Sequence, residues 1–71
     1  MADEQRVRID DDLWAWKDPD RDAWEIRAAD DVVGWVVATA SGFQALLPAD
    51  DDYVSVGTFI SLETAARAVR Q

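Results

Sequence analysis

The sequence contains no cysteine and no histidine. Their absence excludes disulfide frameworks, zinc sites built from Cys and His, thiol nucleophiles and acid–base catalysis by imidazole. A chain of 71 residues hides only about 60% of its unfolded surface on folding, so its core supplies limited stability. Because disulfides and such zinc sites are excluded, burial against a partner or a second copy is the remaining way to supplement that stability.

Lysine is nearly absent as well. The 7 basic residues are six Arg and one Lys, whereas twelve of the 15 acidic residues are Asp, and the net charge is −8. Such a charge governs solubility and association rather than fold. We interpret the acidity as adaptation to a salt-rich cytoplasm, with mimicry of nucleic acid as the alternative.

Glycine and proline are scarce, with three Gly and two Pro, while 49% of the residues are hydrophobic and four are Trp. This composition is typical of a folded globular domain and not of a disordered chain. The three glycines, Gly34, Gly42 and Gly57, are isolated from one another and form no phosphate-binding motif.

No apolar run of the kind that opens a secretory signal occurs in residues 1–12. The longest uncharged stretch, residues 32–49, contains Gly, Ser, Thr and Pro, so it is interpreted as two strands rather than a membrane helix. We therefore expect a cytoplasmic protein that does not enter a membrane.

Hydrophobic alternation predicts a charged N-terminal arm over residues 1–12, which could add an edge strand at residues 7–9, and a single α+β domain over residues 13–71. The predicted strands of this domain cover residues 13–17, 23–28, 32–38, 43–47 and 53–56. If residues 18–22 form the first loop, Trp16 lies opposite Trp24 and Trp14 lies opposite Ile26, which gathers four large apolar side chains on one face.

A C-terminal helix is the clearest element of the sequence. Ser61 is a suitable N-cap, Glu63 lies in the first turn, and Arg67 and Arg70 lie in the last turn, where the helix dipole favours cations. One narrow apolar stripe follows the helical spacing and consists of Leu62, Ala65, Ala66 and Val69. The predicted fold is an antiparallel sheet of four to five strands with this helix packed on one face.

The strand over residues 32–38 is apolar on both sides, as strands buried on both faces are. Simple alternation places Val32, Val36 and Ala38 on one side and Val33, Trp35 and Val37 on the other. Because one helix covers one face, the sheet must close into a barrel, or a second copy or another protein must cover the second face. We expect this interface to contain the four tryptophans, Trp14, Trp16, Trp24 and Trp35.

The acidic clusters point to no metal site. Residues 18–22 space three carboxylates like the start of an EF-hand loop, but Ala23 stands where that loop needs Gly and Ala29 stands where it needs Glu. The segment is therefore interpreted as a polar hairpin turn. Residues 10–12 and 50–52 are interpreted as solvated acids. We predict no catalytic residue, no metal and no cofactor.

Four short motifs lie within roughly residues 14–43: Trp16-Lys17-Asp18, residues 24–30, residues 36–40 and Ser41-Gly42-Phe43. In these motifs the chain resembles the YegP-like family of small domains. This likeness implies a sheet of three strands with a helix, repeated or dimerised so that sheets complete one another, and it implies no established activity.

A second likeness lies at the junction before the helix. Gly57-Thr58-Phe59 and residues 63–68 are similar to the strand-to-helix junction of ethylene-response-factor and integrase-type DNA-binding domains. That likeness implies a sheet that reads the major groove with Arg and Trp. The first two strands of the predicted domain offer only Lys17 and Arg27 for this purpose, and a net charge of −8 opposes binding to phosphates.

The sequence therefore predicts a small acidic protein-interaction module that is not an enzyme and that forms a homodimer through its aromatic sheet face. An unidentified protein partner is a further expectation. Two alternatives stay open: an acidic nucleic-acid mimic that inhibits a DNA-binding protein, and a small sheet-type DNA-binding domain that works in high salt.

Overall fold

Six antiparallel strands form one sheet, and each strand pairs with its neighbours in sequence. The computed structural model describes residues 6–70. Its elements are β1 (Arg6–Asp10), β2 (Leu13–Lys17), β3 (Ala23–Ala28), β4 (Asp31–Thr39), β5 (Gly42–Ala49), β6 (Asp52–Phe59) and α1 (Leu62–Arg70). The predicted α+β class with one C-terminal helix on the sheet is confirmed, but the sheet has six strands rather than four to five.

The sixth strand comes from the predicted arm. Residues 6–10 form the edge strand β1, which pairs with β2, whereas residues 1–5 of that arm lie outside the described residues. The predicted bounds of β2 and β3 are confirmed, and β4, β5 and β6 extend beyond theirs. Within residues 6–70, β1 and β6 do not pair, so the sheet is an open meander and not a closed barrel.

The predicted register of the first hairpin is wrong by one residue. Trp16 lies opposite Glu25 and Trp14 lies opposite Arg27, while Trp24 lies opposite Lys17. A shift of one residue exchanges the two faces of a strand. The physical reason is that Leu13 and Ala15 of β2 fit fully buried on the covered face, so β2 turns its larger tryptophans to the other face.

The core lies between α1 and the face of the sheet that it covers. Its largest fully buried side chains are Leu13, Ile26, Val36 and Val69, and the small residues Ala15, Ala45, Ala65 and Ala66 are also fully buried. The predicted helical stripe is confirmed, since Ala65, Ala66 and Val69 are buried and Leu62 packs against the cluster. The close fit of helix on sheet follows from these small residues.

A bulge in the β3–β4 pairing corrects the predicted alternation of β4. The register shifts between Ile26 and Arg27, so Val32 pairs with Arg27 while Gly34 pairs with Ile26. The extra residue, Val33, packs against the core cluster, and Val32 is 49% exposed. A bulge inserts one residue and therefore exchanges the faces of the residues before it.

The predicted N-cap of α1 is confirmed, and the helix is tied to the far edge of the sheet. The hydroxyl of Ser61 accepts the backbone N–H of Thr64 at 3.2 Å. At the other end, the two terminal nitrogens of Arg70 reach the two carboxylate oxygens of Asp12 at 2.9 and 3.1 Å. This bidentate pair fixes the end of α1 over the β1–β2 turn.

No helix within residues 6–70 has the length and apolarity needed to cross a membrane.

Candidate interaction surface

The sheet face turned away from α1, called the open face below, carries three of the four tryptophans. Trp14 and Trp16 alternate along β2 with the buried Leu13 and Ala15, and Trp35 precedes the buried Val36 on β4. One row of directly opposed residues crosses the whole sheet and consists of Arg6, Trp16, Glu25, Trp35, Leu46 and Ser55. The open face is therefore a mixed aromatic, aliphatic and charged surface.

Trp24, the fourth tryptophan expected at the interface, lies on the opposite face. Its ring packs edge-on against Phe43 with the ring centroids 5.6 Å apart, and it contacts the core cluster under α1. The Lys17 ammonium lies 5.6 Å from the ring centroid of Trp24. The structure thus brings Trp14, Trp16 and Trp35 onto one face and separates Trp24 from them.

Two arginines flank the tryptophans of β2. The Arg6 guanidinium lies 5.4 Å from the ring of Trp14 and 5.2 Å from that of Trp16, and the Arg27 guanidinium lies 4.8 Å from Trp16. Each such contact contributes about 0.5–1 kcal/mol at an exposed site. Glu25 pairs with Arg27. The rings are consequently held in place and half-buried rather than projecting freely.

Sequence reasoning missed the contribution of β1 to this face. Arg6 and Arg8 lie opposite Trp16 and Trp14, yet both fall in the segment interpreted as a charged arm. The signal was present, because Arg6 and Arg8 alternate with Val7 and Ile9 as residues of a strand with one covered face do.

Two shallow concavities flank the Trp35 side chain on the open face. The first has a volume of about 430 Å³. Its floor is lined by Ala23, Trp35, Val37, Leu46 and Tyr53, and its rim by Asp18, Arg21 and Asp22 of the β2–β3 loop. The second lies toward β2, where Trp16, Glu25 and Arg27 line it together with the loop. An apolar floor with a charged rim is the arrangement found in binding sites for proteins and small molecules.

The β2–β3 loop that borders both concavities is fixed by Lys17 and Asp18. The Lys17 ammonium donates to the backbone oxygens of Asp18 and Arg21 at 2.8 and 2.5 Å. A carboxylate oxygen of Asp18 accepts the backbone N–H of Asp20 at 2.9 Å. These bonds are the turn chemistry expected of a polar hairpin. Within residues 6–70 no three acidic side chains converge as metal ligands would.

The fold and this surface together define an α+β meander domain with one sheet face covered by a helix and one aromatic face open. Comparison of the chain with protein-family models, with curated proteins and with solved structures gave no match. The likenesses to YegP-like domains and to sheet-type DNA-binding domains therefore stay predictions.

Proposed function

We propose that this chain is a small non-enzymatic protein-interaction module that self-associates and presents the open face of its sheet to a partner protein. The observation that carries the proposal is the placement of Trp14, Trp16 and Trp35 on a face that α1 does not cover. Large aromatic side chains on such a surface, with apolar concavities beside them, are the usual anchors of protein interfaces.

The distribution of charge supports binding rather than catalysis. No charged or polar side chain is buried in the part of the chain that the structure describes. Catalytic acids and bases owe their altered proton affinity to burial and to close charged neighbours. The open face instead offers stacking surfaces and an exposed charged rim, which favour recognition of another protein.

One observation relates to the alternative of DNA binding. The open face carries Arg6, Arg8 and Arg27 beside the tryptophans, as a sheet that reads a DNA groove would. However, Arg27 is paired with Glu25, and the turns that join β1 to β2, β2 to β3 and β3 to β4 are rich in Asp. Such acids would face the phosphates of a duplex, so we prefer a protein partner. Three of the Asp-rich turns, at residues 10–12, 30–31 and 50–52, lie at the same end of the meander, so mimicry of nucleic acid stays an alternative.

The first experiment compares tryptophans of the two faces. We expect Trp16→Ala and Trp35→Ala to remain folded and to lower the free energy of unfolding by about 1 kcal/mol each, because these half-buried rings lose mainly surface contacts. Trp24→Ala, the matched control on the covered face, is expected to cost about 3 kcal/mol because it empties part of the core. Urea unfolding followed by circular dichroism measures all three variants.

Light scattering of the wild-type chain, across protein concentration and in both low and molar potassium chloride, tests self-association. A dimer is the expected species. If Trp16→Ala and Trp35→Ala unfold as readily as Trp24→Ala, these residues are core and the open face is not a recognition surface. A monomer under all conditions contradicts self-association.

A further inference from the structure

Most of the strongly exposed large apolar side chains that the structure describes lie along β6 or directly after it. Six large apolar side chains within residues 6–70 are strongly exposed, and four of them belong to β6 or follow it directly. They are Tyr53 at 51%, Val54 at 52%, Val56 at 41% and Ile60 at 94%. An apolar cluster of this kind on a small domain marks a surface that another chain covers.

The two edges of the sheet differ in how they are protected from pairing. Edge strand β1 carries Arg6, Arg8 and Asp10, and charged side chains are a common protection of sheet edges. Edge strand β6 has no charged residue and no proline after Asp52. Its outer backbone groups have no neighbouring strand within the described residues, because β5 alone pairs with β6. The β6 edge is thus open to a further strand.

A groove with a mixed polar and apolar lining lies beside this edge on the side of α1. It is lined by Leu47, Val56, Phe59, Thr64, Arg67 and Ala68 and has a volume of about 580 Å³. It lies between Leu47, Val56 and Phe59 of the sheet and Thr64, Arg67 and Ala68 of α1. A strand added at β6 would lay its own side chains next to this groove.

We propose that the occupant of this edge is a second copy of the chain, whose β6 pairs antiparallel with β6 of the first copy about a two-fold axis. This inference rests on the proposed self-association and specifies its interface. Such an interface is self-complementary, as a two-fold dimer requires. Strand addition at a sheet edge supplies main-chain hydrogen bonds as well as apolar contacts.

The charges flanking β6 select the antiparallel arrangement. Asp50, Asp51 and Asp52 stand at the beginning of the strand, while Phe59 and Ile60 stand at its end. Antiparallel pairing places the acidic run of each copy beside the uncharged end of the other. Parallel pairing would place the two acidic runs side by side, which is unfavourable.

The axis lies near Val56, the residue at which the β5–β6 register shifts. Val56 lies midway between Asp52 and Ile60, so an axis there brings these two positions opposite each other. The bulge interrupts strand pairing locally. The hydrogen bonds between the two copies therefore form on both sides of Val56. Val56 of one copy then faces Val56 of the other, and Val54 of each copy faces Thr58 of its partner.

This pairing determines which surfaces the dimer exposes to a partner. An axis perpendicular to the sheet places both helices on one side and both open faces on the other. The dimer would have a continuous sheet of twelve strands, six from each copy, with two aromatic faces side by side. A partner with two equivalent binding segments would gain affinity from both faces at once.

The test introduces a lysine at each edge of the sheet. We expect Val54→Lys to weaken dimerisation at least tenfold, measured by sedimentation and light scattering over a concentration series, because a charge at a paired edge opposes strand addition. Val7→Lys on β1 is the matched control, since Val7 is 45% exposed on the other edge strand. It is expected to leave the dimer unchanged. Circular dichroism confirms that both variants are folded.

A cysteine at the axis supplies a second readout that does not depend on destabilising the dimer. The chain has no cysteine, so Val56→Cys adds a single thiol, and mild oxidation is expected to join two copies covalently. A disulfide forms readily only between residues whose Cα atoms are within about 7 Å. Val7→Cys under the same conditions is expected to stay mostly uncrosslinked.

Three results would overturn the inference. If Trp35→Ala dissociates the dimer while Val54→Lys does not, the copies stack through their open faces; the edge interface is then wrong, and the proposed self-association stands while the presentation of the open face to another protein does not. If Val54→Lys and Val7→Lys are equally disruptive, the effect is not specific to β6. If the wild-type chain is monomeric at every concentration and salt, the proposed self-association fails together with the edge interface.

Discussion

At the scale of single residues, the closest approach between helix and sheet depends on Gly34. A Cβ atom at this position would lie 2.5 Å from the backbone oxygen of Leu46 and would overlap a methyl group of Val69. Because the backbone of β5 cannot move aside without disturbing its ladder, glycine is the residue that fits here. The absence of a side chain at position 34 therefore sets the distance between α1 and the sheet.

We expect Gly34→Ala to lower the free energy of unfolding by about 1–3 kcal/mol, the usual cost of overpacking a tight core. Urea unfolding measures the change. In a Val69→Ala background the same substitution should cost less, because one of the two obstructing groups is gone. A Gly34→Ala variant as stable as the wild type would show that α1 can shift outward without loss.

The distribution of the tryptophans shows what sequence reasoning could and could not reach at this scale. Both alternating sets of β2 are apolar, with Leu13 and Ala15 in one and Trp14 and Trp16 in the other. Hydrophobic alternation cannot tell which of two apolar faces is buried. The predicted register of the β2–β3 hairpin therefore differs by one residue from the observed register. The choice depends on which set fits beneath α1, where Leu13 and Ala15 are fully buried, and that tertiary fit is not contained in the local pattern.

At the scale of elements, α1 was the most predictable part of the chain. Its cap, its stripe and its terminal charges are local features, and each follows from residues within one or two turns. The Glu63 carboxylate pairs with Arg67 at 3.0 Å, one turn further along. The helix could therefore be predicted without knowledge of the sheet.

Ser61→Ala tests the cap. We expect the loss of the bond to the Thr64 N–H to lower the free energy of unfolding by about 1 kcal/mol, measured by thermal or urea unfolding. Ser41→Ala, an equivalent change at an exposed turn residue, serves as the control and should have little effect. Equal stability of the two variants would indicate that α1 is held by its packing alone.

The strands were predicted less completely than the helix. The prediction ended β6 at Val56, before Gly57 and Thr58, whereas the strand continues to Phe59. Gly57 has a φ of 142°, and it follows the bulged residue, so this glycine accommodates an irregularity inside the strand and does not end it. Pairing across a bulge depends on the neighbouring strand, which local patterns do not contain.

At the scale of the whole molecule, the acids lie mainly in the turns. Residues 10–12, 18–22, 30–31 and 50–52 contain most of the aspartates, while the basic residues that the structure describes lie mostly on the strands and on α1. Few of these acids have an ion-pair partner, and Asp12 with Arg70 is the best formed of the pairs. Repulsion between the turns therefore opposes the compact state.

We expect the midpoint of thermal unfolding to rise by several degrees between about 0.05 and 1 M potassium chloride, because added salt shortens the Debye length from about 14 Å to about 3 Å. Replacement of Asp50, Asp51 and Asp52 by Asn removes three negative charges at one turn and should reduce this dependence on salt. Differential scanning calorimetry measures both proteins. A midpoint that falls with salt would mean that the ion pairs of α1 outweigh the repulsion.

The meander topology also has a consequence for how the chain reaches its structure. Every strand pairs with the next strand in sequence, so each hairpin closes over a short loop, and short closures are fast. By contrast, the hydrogen bonds of α1 to β1 and to the β1–β2 turn join residues that are 58 positions apart in the sequence. The hairpins are thus expected to form early, and the docking of α1 across the finished sheet completes folding.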